Sequence, residues 1–179
     1  MKIISKSLAE TEKFAQDFVA KLAPKKDEAT LVALSGELGS GKTTFVQCVA
    51  RVLGVKENIT SPTFVLIKSY QLPVLKSPAP MNIGAPPFSK GELKSPFVKG
   101  STRVREGEGF ETLFHIDAYR LESGAELAKL GFEEIVANPQ NLIFLEWPEN
   151  VSEVLPTNYL TIKFSFIDEA TRAIEYRKM

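Results

Sequence analysis

The chain has 179 residues, of which 44% are hydrophobic and 25% charged, with 22 Lys/Arg against 22 Asp/Glu. This is the composition of one globular domain long enough to bury a real core. A net charge of zero excludes a strong basic field for gripping nucleic acid unaided, and a single cysteine excludes an internal disulfide framework.

Residues 2–5 predict a short edge strand. Ser7-Leu8-Ala9-Glu10 has the spacing of a capping box. Behind it, Leu8, Ala15, Phe18, Val19 and Leu22 mark a helical face that ends before Pro24. Thr11 falls in the first turns of that helix, where a solvated or helix-packing role is the simplest reading. The opening residues lack the apolar core of a signal peptide, and no apolar run approaches the length of a membrane span. The expectation is therefore a cytoplasmic protein without membrane contact.

The stretch Gly36-Glu37-Leu38-Gly39-Ser40-Gly41-Lys42-Thr43 matches the P-loop pattern G-x-x-x-x-G-K-[ST] in full. Thr30 to Ser35 before it read as a short buried strand. Thr44 to Leu53 after it read as a helix, with Phe45, Val46, Val49, Ala50 and Leu53 on one face and Gly54 at its end. Cys48 lies on that helix as a small core residue rather than a nucleophile. A Rossmann reading fails because the spacing is not G-x-G-x-x-G.

The chemistry follows from that context. A polyphosphate needs many N–H donors close together. Glycines let the backbone turn and approach without Cβ clashes, and the helix start adds free N–H groups and a positive dipole. The phosphate-binding set is Glu37, Leu38, Gly39, Ser40, Gly41, Lys42, Thr43 and Thr44. Lys42 would reach the β- and γ-phosphates and Thr43 would bind Mg²⁺. The guanine-reading motif [NT]-K-x-D is absent, which points to ATP.

Further along, Ser61-Pro62-Thr63 is either a plain turn or a segment that senses the γ-phosphate. Phe64 to Leu72 predict a strand. Residues 73–110 hold six of the 11 prolines and five of the 11 glycines, with six Lys/Arg against three Glu. They read as an inserted loop within a single domain spanning 1–179; the sharper alternative is a basic lid over phosphates.

Thr112 to Asp117 form a strand ending in a carboxylate. Ser123-Gly124-Ala125-Glu126 is a second capping box, opening a short helix that ends at Gly131. Asn141 to Glu146 are the clearest buried strand, again ending in an acid. Terminal strands follow at 157–166 and 171–178, with Asp168-Glu169 between them as a hairpin turn. Asp117 and Glu146 thus both sit where open α/β sheets place their ligands. One can hold the metal, and the other can position a water or sense the γ-phosphate. His115 shares a face with Asp117 and reads as a structural histidine.

The segments GELGSGKTTF (36–45), SPTF (61–64), HIDAYRL (115–121) and LEWPE (145–149) occur in an order that resembles the bacterial TsaE family, formerly YjeE. These are ATPases of the machinery that makes threonylcarbamoyladenosine in tRNA. The resemblance implies that Thr43 and Glu146 bind Mg²⁺, that Asp117 is essential for hydrolysis, and that Thr63 belongs to a switch-like segment. It places Trp147 beside the nucleotide, and Thr11 and Arg172 near the adenine or ribose. It implies TsaB and TsaD as partners, with tRNA met only through their complex. One departure is the length of 73–110, which the family usually spans with a few residues.

The expected fold is α/β, a P-loop NTPase-like three-layer sandwich with a mostly parallel central sheet and a C-terminal antiparallel hairpin. Catalysis would rest on Lys42, Asp117 and Glu146, with ATP and Mg²⁺ as cofactors. Two other readings compete. One is a small-molecule kinase with the basic insertion as lid. The other is a non-catalytic, nucleotide-dependent binding module.

Overall fold

The computed structural model describes residues 2–57, 59–73 and 109–177. The inserted loop and its lid alternative fall, apart from Pro73, Gly109 and Phe110, outside the described residues.

The protein is a mixed α/β structure around one seven-stranded sheet. In chain order the elements are β1 (Lys2–Ser5), α1 (Leu8–Val19), β2 (Thr30–Ser35), α2 (Lys42–Val52), β3 (Ile67–Gln71), β4 (Thr112–Asp117), α3 (Gly124–Lys129), α4 (Phe132–Ala137), β5 (Asn141–Glu146), a 3-10 segment (Pro148–Val154), β6 (Leu160–Phe166) and β7 (Arg172–Arg177). The strands lie in the order β1-β7-β6-β2-β5-β4-β3. Parallel pairing is confined to the middle, β6-β2-β5-β4, while β1–β7, β7–β6 and β4–β3 are antiparallel. Half of the six pairings are therefore parallel, fewer than the sequence leads one to expect.

The middle strands are covered on both sides, which is why they read as continuous apolar runs rather than alternating ones. All six residues of β5 are buried. Successive side chains still point to opposite faces. Val32, Leu34, Leu142, Phe144 and Leu113 meet α1 and α2 in one core. Leu31, Ala33, Ile143, Leu145 and Ile116 meet Leu127 of α3, Phe132 of α4 and Val151 in the other. The first core is aromatic at its centre: Phe45 of α2 lies 5.2 Å from Phe14 and 5.5 Å from Phe164, ring centre to ring centre. Cys48 is buried there, and burial pushes its thiol up to about 11, as befits a core residue.

Two local expectations need correction. The strand drawn from Phe64 begins only at Ile67, because the N–H groups of Val65 and Leu66 both turn back onto the Pro62 carbonyl. The second capping box does not close: Ser123 precedes α3, but its hydroxyl makes no capping bond. The helix does end at Gly131, as expected, but a further short helix, α4, follows at once. With φ at +83° that glycine breaks α3 and launches α4. The first box does form in part. Glu10 N–H donates to Ser7 Oγ at 3.3 Å, while the Glu10 carboxylate accepts from the N–H of Lys6, one residue earlier than the usual pattern. Among the described residues, no helix is long and apolar enough to cross a membrane.

Candidate nucleotide site

The parallel strands end on one side of the sheet, and the loops that leave them surround a cavity of about 480 Å³. This is where the topology of an open α/β sheet puts a ligand.

The first wall is the turn between β2 and α2. Gly36, Gly39 and Gly41 have φ of +137°, +76° and +100°, values that L side chains rarely adopt. Gly36 has a second reason: a Cβ there would lie 2.2 Å from the Phe164 carbonyl oxygen of the neighbouring strand. Gly41 is the residue before α2, whose first residues Lys42, Thr43 and Thr44 line the cavity. Lys42 is only 4% exposed. It curls back over the turn, donating to the carbonyls of Gly36 at 2.7 Å and Glu37 at 3.0 Å. Its ammonium also sits 4.1 Å from the centre of the Trp147 ring. Burial pulls its pKa below the ordinary lysine value, against the opposing pull of Glu146, Asp117 and Glu149. A buried cation surrounded by weak acceptors favours an anionic partner.

The second wall carries the two acids. Asp117 and Glu146 are register partners at the ends of the adjacent strands β4 and β5. They do not share donors. Glu146 Oε1 accepts from Thr43 Oγ1 at 2.8 Å, which ties the start of α2 to β5, and it meets His115 Nε2 at 2.8 Å. Asp117 Oδ2 accepts from Thr63 Oγ1 at 2.5 Å and from Ser61 Oγ at 3.3 Å, and its Oδ1 accepts the N–H of Tyr119 at 3.0 Å. Its own N–H donates to the Leu66 carbonyl at 2.9 Å. The Ser61–Leu66 segment is thus fastened to Asp117.

Trp147 follows Glu146 with φ at +60°, unusual for a bulky side chain. Its N–H reaches the Leu34 carbonyl at 3.2 Å, and its ring lies 5.1 Å from that of Tyr119. The remaining wall comes from the far edge of the sheet. Thr11 shares a 2.8 Å hydrogen bond with Ser5. Arg172 lies over the Phe166 ring at 4.6 Å, with Nη1 donating to carbonyls of its own turn and Nη2 to Gly39 O at 3.3 Å.

The family model described as threonylcarbamoyl adenosine biosynthesis protein TsaE matches residues 5–79 and 89–174. The chain belongs to the TsaE family. Its curated relatives include the tRNA threonylcarbamoyladenosine biosynthesis protein TsaE of Rickettsia bellii, 29% identical over 170 residues that cover 94% of this chain and 89% of the relative. The protein of the same name from Treponema pallidum is 29% identical over 174 residues, covering 97% of this chain and 98% of the relative. Among solved structures, that of Bacillus subtilis YdiB has the same fold, with a TM-score of 0.61 at 23% identity over 98% of this chain and 83% of that one. Membership of the TsaE family associates the chain with the biosynthesis of threonylcarbamoyladenosine in tRNA.

With the family in hand, the positions of the expected TsaE site residues can be read off the cavity. Leu38, Gly39, Ser40, Gly41, Lys42, Thr43, Thr44, Thr63, Asp117, Glu146 and Trp147 all line it, and so do the two end-of-chain expectations, Thr11 and Arg172. Glu37 does not line it; it contributes its carbonyl to Lys42. The residues that sequence reasoning missed are Lys6, Ser7, Leu8, Tyr119, Phe164, Glu169, Ala170 and Ile174. Of these, Tyr119 stood within the HIDAYRL segment and could have been singled out. The others come from α1's start and from β6 and β7, and carry no local signal. His115 lies behind Glu146 rather than in the cavity wall.

Among the described residues, no three His, Cys, Asp or Glu side chains gather to hold a metal. The oxygen pair of Thr43 and Glu146 suits a different kind of ion. Mg²⁺ prefers hard oxygen ligands and takes few from the protein, the rest coming from phosphate and water.

Proposed function

We propose that this TsaE-family chain is an ATP-binding, slowly ATP-hydrolysing accessory protein of the tRNA threonylcarbamoyladenosine machinery, working with TsaB and TsaD in the cytoplasm. Its fold on this reading is a P-loop NTPase sandwich closed by a C-terminal hairpin. The observation that carries the reading is one juxtaposition. A turn with three positive-φ glycines and a buried Lys42 lies on the same cavity as two carboxylates in register, Asp117 and Glu146.

The residues divide the work as follows. Backbone N–H groups from Leu38 to Thr44 bind the β- and γ-phosphates at the start of α2. Lys42 exchanges its carbonyl partners for phosphate oxygens. Thr43 and Glu146 hold Mg²⁺, which supplies charge neutralisation at the phosphates. Asp117 orients the attacking water, and Thr63, bonded to it, reports whether the γ-phosphate is present. Trp147 packs beside the nucleotide, and Thr11 and Arg172 face its adenine or ribose. The guanidinium of Arg172 is engaged by carbonyls, which fits slow turnover by the isolated chain. The neutral net charge fits contact with tRNA through partners rather than directly.

The test is a pull-down with TsaB and TsaD in ATP, in ADP and without nucleotide. Capture that depends on ATP supports the reading. Nucleotide-independent capture, or none, contradicts it.

A further inference from the structure

We propose that His115 is a positioning residue that anchors Glu146 for metal binding; this rests on the Mg·ATP reading above.

The geometry separates the two donors. Both bond the same oxygen, Glu146 Oε1, at 2.8 Å. Among the described residues Oε2 has no donor, and Glu146 lines the cavity while His115 does not. The His115 side chain is fully buried, in the sheet, two residues before Asp117. It sits diagonally across β4–β5 from Glu146, since its own register partner is Phe144. Strand pairing therefore fixes the distance between anchor and acid, whatever occupies the cavity. Thr43 is different. It is the second residue of α2 and would itself be a metal ligand, a lone pair of its hydroxyl facing the ion while the hydrogen stays on Glu146.

The orphaned nitrogen of His115 supports the assignment. A carboxylate oxygen accepts, so Nε2 must carry the hydrogen. Nδ1 has no partner among the described residues. In the Nε2–H tautomer this leaves a bare lone pair, which is cheaper to bury than an unpaired N–H. A ring with one fixed donor and one silent nitrogen is suited to orient a single acid and nothing else. Partners of this kind behind a metal ligand are worth about ten- to hundredfold in metal affinity or activity.

His115 is the chain's sole histidine, so histidine labelled with ¹⁵N reports on it alone. In the free protein the spectrum should show a hydrogen held on Nε2, in its bond to Glu146. The Nδ1–H tautomer, or a ring averaging between the two, would overturn the proposal. The second arm compares His115→Leu with His115→Gln, whose side-chain amide can place a donor where Nε2 stands. The Leu variant should need at least tenfold more Mg²⁺ for half-maximal ATP hydrolysis, with ATP affinity in EDTA unchanged. The Gln variant should return to within about threefold of the parent. An unchanged Mg²⁺ requirement in the Leu variant, or equal defects in both, would also overturn it. Failure of the parent protein to bind Mg·ATP would count against the proposed function alone, and the tautomer measurement would then decide the anchor.

Discussion

Two segments flank the cavity and are held in opposite ways. The Gly36–Gly41 turn is fixed by backbone. Its glycines adopt conformations that other residues resist, and Gly36 touches the Phe164 carbonyl of β6. The Ser61–Leu66 segment is fixed at Asp117, through the hydroxyls of Ser61 and Thr63 on one carboxylate oxygen and one backbone bond to the Leu66 carbonyl. Its apolar residues do little to hold it, since Phe64 is 83% and Val65 62% exposed. Leu66 even sits at φ +68°, a strained value for leucine. The first segment is a cradle held by its own backbone. The second is a strap whose two hydroxyl tethers both depend on one oxygen of Asp117.

Substitutions can break this contrast, and the largest effect belongs to Asp117. Asp117→Asn keeps an acceptor for Thr63 but removes the carboxylate. ATP hydrolysis should fall by about 10²- to 10⁴-fold, with ATP affinity retained. A parallel loss of affinity, measured by calorimetry, would mean that Asp117 serves binding.

On the cradle, Gly36→Ala must both hold φ near +137° and push a Cβ into the Phe164 carbonyl. It should lose about 3 kcal/mol of stability, read from denaturant or thermal unfolding. A wild-type melting curve would show that the turn is soft. Lys42→Ala removes the cation without touching the glycines. ATP should bind at least tenfold more weakly, about 1.4 kcal/mol, in a protein that melts close to the parent.

The strap predicts smaller changes. Thr63→Ala deletes one tether and should cost about 1 kcal/mol, while making residues 61–66 exchange amide hydrogens faster. Unchanged exchange would show that Leu66 and the backbone hold the strap without help.

The contrast also explains what the sequence could and could not reveal. The cradle is local, so its glycines and lysine are legible from spacing alone. The buried strands β2 and β5, and the acids at their ends, follow from short apolar runs. Phe64 to Leu66 read as the start of a strand because nothing in the residue type of Leu66 announces a positive φ. Trp147 hides its backbone conformation in the same way. His115 was read as structural, and its bond to Glu146 needs the β4–β5 register, which no single segment contains. Parallel pairing was overestimated because β1 and β3 carry no mark of which way they run.

The smallest effect is expected from the stretch 75–109. Leu72 N–H donates to Glu111 O at 2.8 Å, so the flanks of that stretch already lie side by side at the end of β3–β4. Closure entropy grows only slowly with loop length. Replacing 75–109 with a short Gly/Asn turn should leave melting behaviour and ATP affinity within about threefold of the parent. A tenfold loss of affinity or turnover would restore the lid alternative.

The central claim is that the cavity at the strand ends is an ATP site. Trp147 is the only tryptophan of the chain, and its ring carries the Lys42 ammonium at 4.1 Å. Drawing Lys42 onto phosphates changes that contact directly. Titration of tryptophan fluorescence with ATP in Mg²⁺ should therefore give a saturable change that Lys42→Ala weakens at least tenfold. No saturable change up to millimolar ATP, with no heat of binding in the calorimeter, would contradict it.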